Sequence, residues 1–227
     1  MDEKQWALMR RWMLAEIAVE TANLRDEIGK DHLAPQVIEV MGQVSRQMFV
    51  PTELQDRAYL NHPLPIGYGK TISQPFIVAL MTDLLDIHAG ETILEIGTGL
   101  GYQTAILSRL AKQVYSVEKI DGLARQAQQQ LANLGYTNIE FRIGNGYDGW
   151  PEHAPFDKII VTAAPLDTPP ALFAQLKPGG LMVLPAGQPN NQQLLQLSKD
   201  THGRPETRII LPVRFSELEA DTTPSTR

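Results

Sequence analysis

The residues best suited to chemistry stand together in Thr92 to Leu110, TILEIGTGLGYQTAILSRL. An acid, Glu95, precedes three glycines, Gly97, Gly99 and Gly101, giving E-x-G-x-G-x-G. Before the glycines runs a short apolar stretch with β-branched residues. After them Ala105, Ile106, Leu107 and Leu110 return at helical spacing. Strand, glycine turn and helix together open a nucleotide-binding βα unit. Glycine suits such a bend because it reaches positive φ and lets a ligand approach the main chain with no Cβ in the way. Two details narrow the ligand. A dinucleotide pattern G-x-G-x-x-G counted from Gly97 would need glycine at Tyr102. An acid beside the bend disfavours a pyrophosphate and suits a cation. A second strand, VYSVEKID, reaches Glu118 about 20 residues beyond the glycines, where an acid binds ribose hydroxyls. A cation joined to a ribose and a base is S-adenosyl-L-methionine, the expected cofactor, with S-adenosyl-L-homocysteine as its product.

The elements that must position these residues follow from periodicity. Residues 4–29 read as a helix with Gly29 as its C-cap, and a second helix runs from about Pro35 to Gln47. Residues 51–74, with prolines and glycines and few apolar repeats, read as a long irregular segment, the kind of loop that tends to be functional. A helix follows from Pro75, with Ser73 as a plausible N-cap. Then come strand 92–96, helix 101–111, strand 113–117, helix 121–134 and strand 138–142. A Gly144-Asn145-Gly146 turn leads to strand 156–161, a short helix 170–176 and strands 181–185, 192–199 and 208–213. Helices between strands, then strands alone, predict a parallel sheet that finishes in an antiparallel hairpin. Three segments of one integrated domain are expected. Residues 1–74 supply N-terminal helices and a substrate-site loop, 75–218 the catalytic sheet, and 219–227 a disordered tail.

The 227 residues suit one domain, and 43% hydrophobic content supports a sizeable core. A net charge of −6 with no basic cluster argues against a nucleic-acid partner. The absence of cysteine removes disulfide and thiol chemistry and fits a reducing compartment. No apolar run is long enough to span a bilayer, and the acidic start MDEKQW lacks a signal-peptide layout. The expectation is a cytoplasmic monomer without a membrane partner. His32, His62, His88, His153 and His202 show no metal-ligand spacing, so no metal is expected.

The chain resembles the protein-L-isoaspartate (D-aspartate) O-methyltransferase family. The resembling segments are FVP at Phe49, PLPIGYGKTISQP at Pro63, LEIGTGLGYQTA at Leu94, VYSVEKI at Val114, GNGYDGWPEHAPFDKIIVTAAP at Gly144 and LKPGGLMVLPAG at Leu176. The glycine motif marks only a class I methyltransferase; the PLPIG…TIS stretch ahead of it is what distinguishes the family. The resemblance implies a Rossmann-like α/β fold of seven mostly parallel strands with a C-terminal antiparallel hairpin and an N-terminal helical extension. It implies methyl transfer to the α-carboxyl of L-isoaspartyl residues in damaged proteins and peptides. The ester then closes to a succinimide unaided, and hydrolysis returns some normal aspartate.

By the same resemblance Ser73 is the active-site serine, hydrogen-bonding the substrate carboxylate, with Ile66, Thr71, Ile72 and Leu218 shaping the acceptor site. Glu95, Gly97, Thr98, Gly99 and Gly101 are assigned to the methionine part and the bend, Glu118 and Lys119 to the ribose side, and Asn145, Gly146 and Thr162 to the rest of the cofactor. Asn145 stands where the family usually has Asp, and Ser216-Glu217 where it has Val-Pro. An amide oxygen still accepts a hydrogen bond, but Glu217 adds an acid near a carboxylate-binding site. Two alternatives therefore stay open. One is a related carboxyl methyltransferase with a specific peptide or protein partner; the other is a decayed cofactor-binding module.

The chemistry asks little of side chains. A carboxylate is already ionised at pH 7, so the acceptor needs no general base. Catalysis should lie mainly in holding the attacking oxygen in line with the methyl group. Lys70 and His62 border the same segment as further candidates.

Overall fold

A computed structural model describes residues 1–220 of the chain. The N-terminal part holds α1 (Glu3–Asn23), the single turn α2 (Arg25–Ile28) and α3 (Pro35–Gln43). The single helix expected over 4–29 is thus interrupted. Leu24 leaves helical geometry (φ −100°, ψ 17°), and one more turn forms before Gly29 closes it at φ 78°. The helix expected to reach Gln47 stops at Gln43, because Val44 turns extended (ψ 120°). Val44 and Arg46 both point inward two residues apart, which extended chain permits and one helix face does not.

Residues 51–74 are more ordered than expected. A 3₁₀ turn covers Thr52–Arg57, and β1 (Leu64–Gly67) pairs antiparallel with β2 (Lys70–Ile72). The connecting residues Tyr68 and Gly69 both have positive φ, 53° and 69°, the backbone of a tight two-residue hairpin turn. Tyr68 is held by its ring, which lies on Gly122 so closely that a Cβ there would collide with it. Pro65 cannot donate to a ladder and hid this edge strand in the sequence. Helix α4 (Pro75–Leu84) follows, and its N-cap is Gln74 without a side-chain bond, so Ser73 is not the cap.

The sheet part comprises β3 (Thr92–Ile96), α5 (Tyr102–Leu110), β4 (Gln113–Glu118), α6 (Asp121–Asn133), β5 (Ile139–Ile143) and β6 (Phe156–Val161). It ends with α7 (Pro170–Ala174), β7 (Leu176–Gln188), β8 (Asn191–Lys199) and β9 (Pro205–Val213). The seven strands lie in the order β5-β4-β3-β6-β7-β8-β9, parallel through β7 and antiparallel from there. This is the α/β fold expected, with its terminal hairpin. Successive residues of β3 serve opposite faces, as the two-residue period requires. Ile93 joins the core under the N-terminal helices, and Leu94 joins a second core with Phe156 and Leu172. The first core runs without a break from Met13 and Met41 to Val183 and Leu194. The tail expected from 219 lies outside the described residues from 221 on; Glu219 and Ala220 are described. No helix among the described residues is long and apolar enough to cross a membrane.

Candidate active site

Parallel strands put their C-terminal ends on one edge of the sheet, where such folds bind ligands. There β3 ends in the glycine bend, β4 in Glu118 and β6 in Thr162. A cavity of about 550 Å³ opens over these ends, within the range of small-molecule sites. It is lined by Gly97, Gly99, Glu118 and Gly146 from the sheet's edge, by Ile66 and Thr71 of the β1–β2 hairpin, and by Ser73 just after it.

Glu118 is fixed before any ligand arrives. Its two oxygens accept from the amides of Gly99 and Ile120, each at 2.9 Å. Each oxygen keeps a second lone pair, and the residue lines the cavity, so the carboxylate can take the two hydroxyls of a sugar. Gly97 has φ 96°, and a Cβ there would strike the Thr162 hydroxyl, which donates to the Gly97 carbonyl at 2.7 Å. At Gly146 a Cβ would lie 2.5 Å from Ile96 Cγ2. Val117, Ile120 and Leu123 add an apolar floor suited to a base. These residues fit the adenosylmethionine class of cofactor.

Of the residues expected from sequence, the cavity gathers Ile66, Thr71, Ser73, Gly97, Gly99, Glu118, Lys119, Gly146, Thr162 and Leu218. Ile72 and Thr98 line a smaller adjoining recess of about 50 Å³. Four lie off the cavity wall, Gly101, Asn145, His62 and Glu95. Gly101 begins α5 at φ 93° and packs against Leu131 and Ala127, so its task is helix packing. The Asn145 side chain accepts from the Tyr147 amide at 3.1 Å and caps the short turn Gly146–Asp148. His62 also stays off the wall, whereas its neighbour Pro63 lines it.

Glu95, expected at the ligand, is fully buried beneath the bend. One of its oxygens, Oε2, accepts from the hydroxyls of Thr104 and Ser116, each at 2.6 Å. Ser116 spends its proton there, so Thr98 donates to Ser116 at 2.6 Å and the network braces the loop. Burial pushes the Glu95 carboxyl up from about 4.5 to about 8, against the pull of those two hydroxyls. The folded chain then holds a proton that the unfolded chain releases. The contribution of Glu95 to stability is fully present below pH 4.5 and is lost as pH rises toward 8, by ~1.4 kcal/mol per pH unit for one proton. Glu95→Gln should remove that slope, so its melting temperature gains on the parent's as pH rises through this window. Parallel melting curves for the two proteins across the window would assign the proton elsewhere.

Leu218 and Ser216-Glu217 were expected near the acceptor; the residues that anchor them were not legible. The chain after β9 forms a strap from Arg214 to Glu219 along the cavity rim. Its start is pinned by Gln192, whose buried amide exchanges two hydrogen bonds with the Phe215 backbone, at 2.6 and 3.1 Å. Its middle is pinned by Ala164, which bonds Ser216 and Leu218 at 2.8 Å each. Behind Ser73 lies Arg46, wholly buried, donating to the carbonyls of Ala58 and Ser73 at 2.7 Å each. Its guanidinium stands 4.7 Å from the centre of the Tyr102 ring. Ser73 itself makes no side-chain hydrogen bond among the described residues, which leaves its hydroxyl for a ligand.

Sequence comparison agrees with this geometry. The family model for protein-L-isoaspartate(D-aspartate) O-methyltransferase matches residues 21–222. The chain belongs to this family. Among its relatives is a Polaromonas protein named protein-L-isoaspartate O-methyltransferase 1, 58% identical over 219 residues, which are 96% of this chain and 93% of the relative. A Syntrophobacter fumaroxidans protein-L-isoaspartate O-methyltransferase 2 is 52% identical over 210 residues, 92% of this chain and 85% of that one. A solved protein-L-isoaspartate O-methyltransferase has a TM-score of 0.75 and 26% identity over 89% of this chain and 66% of its own. A Plasmodium falciparum structure described as a protein of this type in complex with S-adenosyl-L-homocysteine has a TM-score of 0.72 at 22% identity. It covers 89% of this chain and 97% of its own, and shares the fold.

Proposed function

We propose that the protein transfers the methyl group of S-adenosyl-L-methionine to the α-carboxyl of L-isoaspartyl residues in damaged proteins and peptides. The observation that carries this reading is the single cavity joining the glycine bend and Glu118 to the Thr71–Ser73 wall of the hairpin. Family membership supports the same reading. When bound, the cofactor supplies an electrophilic methyl group. The chain's own work is placement. Glu118 holds the sugar, and Gly97, Gly99 and Gly146 let the cofactor lie against main chain. Ser73 donates its hydroxyl to the ionised acceptor carboxylate, and Ile66, Thr71, Ile72 and Leu218 shape the approach so that one oxygen meets the methyl in line. No proton has to move, since the acceptor carboxylate is already ionised at pH 7. Closure of the ester to a succinimide needs no protein group. We read the protein as a cytoplasmic monomer; its cysteine-free composition fits a reducing compartment.

The test is methyl transfer from labelled cofactor to paired peptides carrying isoaspartate or aspartate at one position. Label confined to the isoaspartyl peptide supports the proposal. Label on neither, with cofactor binding intact, would favour a dedicated protein partner or a decayed module. Ser73→Ala should lower kcat/KM for the isoaspartyl peptide by roughly tenfold, the worth of one hydrogen bond to a charged group. Affinity for S-adenosyl-L-homocysteine should stay as it was. Unaltered turnover would remove Ser73 from the acceptor site.

A further inference from the structure

The cavity wall on the acceptor side carries a cation that is already engaged. Lys70 opens β2, three residues before Ser73, and lines the cavity with Thr71 and Ser73. Its ammonium lies 2.5 Å from Oε1 of Glu219, 149 positions later on the strap. The pair is partly open to solvent, the side chains being 23% and 54% exposed. The ammonium holds the Glu219 carboxyl below its ordinary range. Glu219 is kept there by its backbone. Lys119 donates to its carbonyl at 3.3 Å and to that of Ala220, and Leu218 is tied to Ala164. A carboxylate of the chain thus rests on a cation at the entrance an acceptor carboxylate must use.

Resting on the function proposed above, we infer that Lys70 binds the acceptor's carboxylate and that Glu219 is its intramolecular competitor. Two carboxylates around one ammonium repel each other, so an entering acceptor exchanges with Glu219 instead of adding to it. The other cations are placed differently. Lys119 bonds strap carbonyls beside Glu118, and Arg214 is exposed where the strap begins. Lys70 alone among these cations lies on β2, beside Thr71 and three residues before Ser73. The exchange sets a threshold. A free carboxylate correctly placed by Ser73 displaces Glu219, and a weakly held anion does not. Because the pair is partly exposed, the threshold is modest, roughly two- to fivefold in affinity.

The experiment compares the parent, Lys70→Gln, Glu219→Gln and the double variant in steady-state methylation of a peptide with a single isoaspartate. Glu219→Gln should lower the peptide KM two- to fivefold, and Lys70→Gln should raise it. The double variant should match Lys70→Gln, since Glu219 acts only through Lys70. Affinity for S-adenosyl-L-homocysteine, measured by calorimetry, should be the same in all four. A brace that merely held the strap would give the opposite sign, and a raised KM in Glu219→Gln overturns the inference. So does a double variant whose KM is still lowered relative to Lys70→Gln. The parent's own preference for the isoaspartyl over the aspartyl peptide reads the function separately. If the parent methylates neither, that reading fails and the inference falls with it; if it methylates the first and the variants show the wrong sign, only the inference falls.

Discussion

Glu118→Ala is expected to weaken S-adenosyl-L-homocysteine binding by roughly a hundredfold, and turnover at limiting cofactor in proportion. Two losses combine. Hydrogen bonds from sugar hydroxyls to a carboxylate are worth about 1.5–3 kcal/mol. The same carboxylate also takes the amides of Gly99 and Ile120, so its removal orphans a donor inside the glycine bend and another at the start of α6. Glu118→Gln separates the two effects only in part. One oxygen remains, but the new NH₂ faces an amide N–H, and two donors cannot pair. Titration calorimetry with the product measures the loss directly. A dissociation constant within threefold of the parent's would mean that the sugar is held by some other group.

Gly97→Ala is expected to remove about 2–5 kcal/mol of stability and nearly all activity. Its φ of 96° is a region that side chains rarely enter. The added methyl also runs into the Thr162 hydroxyl. That hydroxyl cannot swing aside freely, because it donates to the carbonyls of Gly97 and Ile96 at 2.7 and 3.1 Å. Adding Thr162→Ala should relieve the collision, since the remaining Cβ would lie at an ordinary 3.6 Å. It should leave the backbone strain. Thermal melting of the single and double variants should therefore show partial recovery. A Gly97→Ala protein that melts with the parent would show that the bend has room the geometry denies.

What the sequence disclosed and what it hid divide along a physical line. The glycine bend, Glu118 and the strand–helix alternation depend on neighbours in the chain, so periodicity and turn chemistry were enough. The hairpin was hidden by Pro65, which breaks the alternation that Leu64, Ile66 and Ile72 otherwise keep. Ser73 looked like a helix cap because its type and position suit one; the backbone placed Gln74 there instead. Glu95 fell in the ligand motif, yet its orientation is set by Thr104 and Ser116, which only the packed sheet brings beneath it. Arg46, Gln192 and Glu219 act across 27, 23 and 149 positions. Contacts at that range leave no periodic trace in a single sequence.

Arg46 has a consequence for how this architecture can be rearranged. Its one side chain joins the end of the Thr52–Arg57 turn at Ala58, the proposed acceptor wall at Ser73 and, through Tyr102, the helix that leaves the glycine bend. The proposed acceptor wall and the glycine bend are therefore physically coupled. Transplanting residues 1–74 onto another glycine-bend methyltransferase would bury a guanidinium with no ring waiting for it. A chimaera would have to carry Tyr102 across the junction as well, and the crossover that respects this stitch lies beyond α5.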